Sequence, residues 1–414
     1  MATAVAQLVR MLSGFVVIKL IAVYLGPEGF GRLGHFMSLI AILGVLAGGG
    51  ILNGIVKYVA EYKNTPDRLH SFLSNALAYT LISSSLLFLV IALSSRQISL
   101  ILFNGEEFTQ LIIFLGFIQY LYGLVTFCNG TINGLRETVK FAKIIIFGTL
   151  IGLPTSYFLI ITYGFSGAII GLAAVNACLL LPATFEIYKF KFFKKIKFRL
   201  NKQDTFRLSK FSLMQMFSLA TLPLAEMYIR SLIIQDAGWH QAGIWQGLMR
   251  LSSVYVGFFT TFFAAYYMPS LSGLFDKNQI FKYVAKYLVV IGSIFLAIAL
   301  MVYILRDFVF AVIFSKEFVI PAEYLGFQLI GDFFKIMSYL IGFLIVAKAK
   351  LSLYIFAELA QTALYLGVAT WFIKVGDVSK VFPAYAISNF LYFSICLAGL
   401  LWFRRTLQHK KSPF

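Results

Sequence analysis

The stretch FQLIGDFFKIMSYLIGFLIVAKAK, Phe327 to Lys350, is almost wholly apolar, yet Asp332 and Lys335 stand inside it. Residues three or four apart share a helix face, so an acid and a base sit together where lipid or packed core is expected. Ionisable groups interrupt other apolar runs too: Arg10 and Lys19, Lys57 and Glu61, Glu226 and Arg230, Arg250, and Glu358. Glu226–Arg230 and Asp332–Lys335 have the spacing of intrahelical ion pairs, which would fix helix register, or of groups lining a transport path. The sequence leaves both readings open. Lys19 and Arg250 have no acid within a turn on their own helices, so each calls for an anion from another helix or from a ligand. Set around one cavity, Arg10, Lys19, Arg230, Arg250 and Lys335 outnumber Glu226 and Asp332. Such a cavity is cationic and suits an anion such as a phosphate-bearing head group.

The elements that must hold these residues follow from composition. The 414-residue chain is 60% hydrophobic and only 13% charged, with a mean hydropathy of +0.86. A soluble domain is about a quarter charged, whereas here apolar stretches of about twenty residues, enough to cross a bilayer, recur from end to end. The pattern predicts an all-α integral membrane protein with twelve transmembrane helices, near 4–25, 36–60, 71–94, 110–134, 141–162, 166–188, 209–234, 242–270, 283–305, 322–347, 351–373 and 382–403. A charge facing lipid at mid-bilayer costs about 2.5–3.5 kcal/mol, so the charges inside these spans must face protein or trapped water. The linkers are mostly under fifteen residues, which leaves no room for a folded catalytic domain. No P-loop, HExxH or Gly-x-Ser-x-Gly occurs. Cys128, Cys178 and Cys396 lie in apolar spans and read as small core residues, and no histidine belongs to a cluster with metal-ligand spacing. No enzyme activity, metal or cofactor is expected. The N-terminus lacks a basic region before its first apolar run, so no cleavable signal peptide is expected.

Basic residues sort by loop. With the N-terminus inside, 24 lysines and arginines fall on the cytoplasmic side and six on the other: Arg32, Arg96, Arg306, Lys316, Lys374 and Lys380. The positive-inside rule then places both ends in the cytoplasm. The net charge of +18 is a topology signal and gives no reason to expect nucleic acid. The densest cluster, from Lys189 to Lys210, holds nine basic residues and one acid among phenylalanines. It reads as a stop signal or as a segment that favours an anionic leaflet surface. It divides the chain into a six-helix lobe at 1–188, a basic cytoplasmic linker at 189–208, a second six-helix lobe at 209–404 and a cytoplasmic tail at 405–414. The lobes look related: LGF recurs from Leu115 to Leu325, and Gly29, Gly34, Asp67 and Phe72 map onto Gly238, Gly243, Asp276 and Phe281 at an offset of 209. Six spans is an even number, so both lobes insert alike, with a pseudo-twofold axis along the membrane normal and a cavity between them. Gly48, Gly49 and Gly50 in the middle of span 2 permit close helix approach or local unwinding, and Pro154, Pro182 and Pro223 permit kinks.

Several phrases carry a resemblance. IKLIAVYLGPEGFG, GVLAGGGILNGIVKYVAEY, GIWQG and QLIGDFFKIMSYLIGFLIVAKAKLSLYIFAELAQ resemble the Wzx-type polysaccharide-repeat flippases. The likeness is greatest to the O-antigen and enterobacterial common antigen (lipid III) translocases of Gram-negative inner membranes, and it runs through the chain in order. It implies the fold of the multidrug/oligosaccharidyl-lipid/polysaccharide superfamily, two six-helix lobes forming a V. It also implies transfer of an undecaprenyl-diphosphate-linked oligosaccharide from the cytoplasmic to the periplasmic leaflet, in a pathway with a polysaccharide polymerase and a chain-length regulator. Lys19, Lys57, Asp332, Lys335, Lys348 and Glu358 lie within the matching phrases; Glu226, Arg230 and Arg250 lie outside them. The family's expected ion coupling would use Asp332, Glu226 or Glu358 as the titrating group. A drug exporter of the same superfamily is the alternative, but one for cationic drugs should show an acid-rich cavity. A membrane glycosyltransferase or ligase would need a sizeable outer loop, and none exceeds about eighteen residues.

Overall fold

The computed structural model describes residues 2–190, 196–219, 221–274, 276–315, 317–348 and 351–405. Lys191, Lys194, Lys195, Lys316, Lys350 and the tail from residue 406, all part of the charge pattern, lie outside the described residues.

The chain is helical. Among the described residues, eight segments are long and apolar enough to cross a membrane, and two of them, Val5–Tyr62 and Thr138–Tyr188, run to 58 and 51 residues. About 20 residues suffice for one crossing, so each of these must fold back. In α5 (Thr138–Ala177) the reversal is at Gly164, with φ 54° and ψ −124°. A Cβ on Gly148 would lie 2.8 Å from the Leu179 Cα, one on Gly152 3.0 Å from the Val175 Cα, and one on Gly171 2.7 Å from the Ser156 Oγ. These pairs close in on Gly164 from both sides, so the two arms run antiparallel. Small residues every fourth position let the arms touch, which is how helices associate where lipid removes the hydrophobic drive.

Gly26 in α1 (Ala2–Leu46) and Gly238 in α8 (Thr221–Phe262) break their helices with almost the same geometry, φ 61°, ψ −172° and φ 77°, ψ −179°. All three breaks fall in predicted gaps between spans. The helix resumes at once after each, so nine of the ten residues expected as a first loop, those after Gly26, are helical. Pro27 explains the restart after Gly26, because proline is preset for the first helical position. With α7 (Lys202–Leu219) and the arms of α8, the chain is an all-helical membrane protein of about twelve crossings.

Two compact units divide the chain, Met1–Met227 and Tyr228–Phe414. In the first, α1 packs along α5, and α3 (Pro66–Phe103) along α4 (Thr109–Gly134). Its core gathers Phe72, Phe127, Ile55, Ile132 and Leu208. In the second, α12 (Ala322–Ala347) packs against α14 (Val381–Arg405) and α10 (Lys277–Ile304), with α13 (Leu351–Val375) against α14. Phe259, Phe263, Phe295 and Leu340 form its core. Helices α4 and α12 are each 26 residues long and start at Thr109 and Ala322, 213 apart. The residue matches at 209 and 210 are therefore a few positions out of register with the helix starts.

Candidate functional site

Asp332 on α12 is completely buried. Three hydroxyls donate to its carboxylate. Ser252 Oγ reaches Oδ2 at 2.5 Å, the Tyr255 hydroxyl reaches the same oxygen, and the Tyr385 hydroxyl reaches Oδ1 at 2.7 Å. One turn before Asp332, the Gln328 amide donates to Ser252 Oγ at 2.7 Å, which leaves that hydroxyl's proton for the carboxylate. Burying a carboxylate is costly unless it is hydrogen-bonded, and bonds to an ionised acceptor are about twice as strong as neutral ones. Ser252 and Tyr255 come from one face of α8, and Tyr385 from α14, so three helices meet on one acid. The neighbouring residue makes this possible. A Cβ on Gly331 would stand 2.6 Å from the Tyr385 Cε1, so any larger residue would push the ring from its place.

Lys335 joins the acid through that tyrosine: its Nζ donates to the Tyr385 hydroxyl at 3.5 Å and lies 5.7 Å from the ring centre. Its charge also acts on Glu358 of α13, which accepts a bond from Tyr354 at 2.8 Å. Of the expected site residues, Asp332, Lys335 and Glu358 thus share one neighbourhood in the second unit. Ser252, Tyr255, Gln328, Gly331 and Tyr385 escaped sequence reasoning because each is unremarkable in an apolar helix. The available signal was the spacing of Ser252 and Tyr255, three apart on one face.

Arg230 is also completely buried, donating to the Gln246 carbonyl from Nη2 at 2.6 Å and lying 5.5 Å from the Trp245 ring. Both partners come from beyond the Gly238 break, so the fold of α8 brings them to it. Arg250 is half-buried and stands about 200° round the helix from Ser252, away from Asp332. Glu226 is half-buried at the end of the first unit.

In the first unit, Arg10 is exposed and lines a small cleft with Ser13, Thr149 and Asn176; Lys19 is half-buried. Lys57 is exposed on α2 (Leu52–Tyr62), with its Nζ 5.1 Å from the Tyr58 ring and 5.9 Å from that of Phe211. Between α1 and α2, Gly48, Gly49 and Gly50 have φ of 67°, 79° and 67°, so span 2 is unwound at its middle. The break also permits close approach. A Cβ on Gly48 would lie 3.1 Å from the Gly123 carbonyl oxygen, and the Gly48 amide donates to Ser84 Oγ at 3.2 Å. The corresponding span of the second unit is interrupted too, by a π turn at Phe263–Tyr267, where Pro269 has no N–H to donate backwards.

Comparison with known proteins fits this architecture. The family described as "Polysaccharide biosynthesis protein" matches residues 1–275. The lipid III flippases of Escherichia coli (strain K12) and Shigella flexneri are each 34% identical over 406 residues, covering 97% of this chain and 98% of theirs. Among solved structures, an inward-facing MATE family transporter of the MOP superfamily aligns with a TM-score of 0.71 at 15% identity, over 99% of this chain and 96% of that one. An outward-facing one gives 0.67 at 16% identity, over 99% and 95%. At those identities the structures speak for the fold alone. The chain is a multi-pass membrane protein with the MOP transporter fold, and it belongs to the polysaccharide biosynthesis family of flippases and transporters, not to a family of enzymes.

Proposed function

We propose that the protein translocates an undecaprenyl-diphosphate-linked oligosaccharide, an O-antigen repeat unit or the common-antigen lipid III, from the cytoplasmic to the periplasmic leaflet of a bacterial inner membrane. The carrying observation is the end-to-end similarity to the lipid III flippases, 34% over 97% of the chain. Two lobes, 1–188 and 209–404, carry the substrate across by alternating access, with both termini in the cytoplasm. Arg10, Lys19, Lys57, Arg230, Arg250 and Lys335 supply the cations for the diphosphate, and the polyprenyl tail stays in lipid. A polymerase and a chain-length regulator use the product.

The Asp332 cluster supports coupling to a proton. All three hydroxyls direct their protons at the carboxylate, which suits a group that gains and loses H⁺ more than one that holds sodium. When Asp332 takes a proton, one hydroxyl must give up donating to it. Tyr385 reaches Oδ1, whereas Ser252 and Tyr255 share Oδ2, and its oxygen also accepts from Lys335, so a proton taken on Oδ1 turns that bond round and the change reaches a cation of the proposed substrate wall.

The test is complementation of strains lacking either flippase, with O-antigen and common-antigen display read side by side. Restored display of one glycan is expected. Lys19→Ala and Arg250→Ala should abolish it at normal membrane abundance, with Lys19→Arg retaining it. Normal display from both alanine variants would remove the cationic substrate wall from the proposal.

A further inference from the structure

The segment between the expected lobes is bolted down on one side and open on the other. Asp204, the one acid between Lys189 and Lys210, is completely buried against Arg68 of α3, with paired bonds of 2.8 Å and 2.5 Å. Arg68 also lies 4.8 Å from the Tyr62 ring, and Arg207 donates to the Tyr62 hydroxyl at 2.7 Å. The Asn75 side-chain carbonyl accepts from the Asn201 amide at 2.6 Å and from Thr205 Oγ1 at 3.0 Å, and Ser74 Oγ accepts from the Lys197 amide at 3.2 Å. These contacts run from Lys197 to Arg207, so the segment holds one fixed face outward.

That face has a single chemistry. Lys197, Arg199, Lys202 and Lys210 are exposed, and between them stand Phe198 and Phe206, 65% and 62% exposed. Along α7 the outward residues Lys202, Phe206 and Lys210 follow at four-residue steps, which places them in one stripe, and the Lys210 Nζ lies 4.6 Å from the Phe206 ring. The acid that would repel an anion is turned inward and neutralised. Exposed aromatic rings beside cations suit the boundary between head groups and acyl chains of an anionic leaflet: rings enter the apolar side and ammonium groups meet phosphate. A free anion would engage the cations and leave the rings in water.

We propose that residues 197–210 form a prearranged binding surface for anionic phospholipid head groups, clamped to the first unit by the Arg68–Asp204 pair. The test does not depend on transport, so its outcome is separate from that of the flippase reading. An environment-sensitive fluorophore is placed at Gln203→Cys in the full chain, with Cys128, Cys178 and Cys396 replaced by alanine. The protein is reconstituted in phosphatidylcholine vesicles carrying equal fractions of brominated phosphatidylglycerol or brominated phosphatidylcholine. The anionic quencher should act at least about threefold more strongly, and high potassium chloride should reduce that preference by screening. The variant K197Q/R199Q/K202Q/K210Q, all exposed positions, should quench equally with both lipids. Equal quenching of the native surface overturns the proposal, as does a preference that survives the quadruple variant or high salt. Loss of the preference to inorganic phosphate, beyond chloride of matched ionic strength, would make this a free-anion site and also overturn it.

Discussion

The Tyr385 hydroxyl donates to Asp332 at 2.7 Å and accepts from Lys335 at 3.5 Å, so one phenol links the buried acid to a lysine. If the cluster carries coupling, Tyr385→Phe should express normally and slow transport about tenfold or more, the loss of one hydrogen bond to a charged group. Asp332→Asn should abolish the response to a proton gradient. The double variant Asp332→Asn with Lys335→Gln should be abundant and inactive in proteoliposome flipping. Recovered activity in the double variant would mean that only the pairing matters.

Gly331 gives a separate handle on that phenol. Gly331→Ala should displace the Tyr385 ring and reproduce the transport defect of Tyr385→Phe, with overpacking costing about 1–3 kcal/mol. Gly367→Ala is the control, since nothing lies within 4 Å of a Cβ there. Thermal unfolding in detergent and flipping rates should separate the two variants; equal behaviour would refute the packing account.

At the broken span, Gly49 has φ 79°, and a Cβ there would lie 2.7 Å from Ser83 Oγ and from the Tyr79 ring. Gly49→Ala therefore combines about 1–2 kcal/mol of left-handed backbone strain with overlap. It should lower membrane abundance and unfolding temperature. Gly14→Ala, in open space, should do neither.

Asp204 is completely buried while the Arg68 side chain is 32% exposed. Arg68→Ala should destabilise strongly, toward the lower end of about 3–5 kcal/mol because water reaches the guanidinium. Arg68→Ala with Asp204→Asn should recover much of that loss, because no buried charge is left alone. Protease sensitivity of the 196–219 segment measures it; a double variant as unstable as the single one would contradict the clasp.

The charge pattern makes a topological prediction. Single cysteines at Asn201 and Asn278 in a cysteine-free background should be blocked only by permeant thiol reagents, whereas one at Asp377 should label from outside. Labelling of Asn201 by an impermeant reagent in intact cells would overturn the orientation.

Much of the architecture was legible before any fold was drawn. Hydropathy and charge belong to each residue and add along the chain, so the bilayer class, the spans and the charge asymmetry between loops can be read locally. The glycine breaks were legible only as gaps: Gly26 and Gly238 mark where the chain turns, but that the helix resumes at once depends on backbone geometry and on Pro27. Asp332 stood out because an acid in an apolar helix is expensive.

Its partners did not stand out, because a hydrogen bond joins residues that sequence separates. Ser252, Tyr255 and Tyr385 lie 80, 77 and 53 positions from Asp332, and a tyrosine in an apolar span looks the same whether it faces lipid or an acid. The clasp of Arg68 on Asp204, 136 positions apart, was hidden for the same reason. Sequence by itself determined that the chain crosses a membrane about twelve times and carries charge inside it. Which hydroxyls meet that charge, and which face of the basic segment stays open, was decided by tertiary packing, because burial converts ordinary polar side chains into obligatory partners.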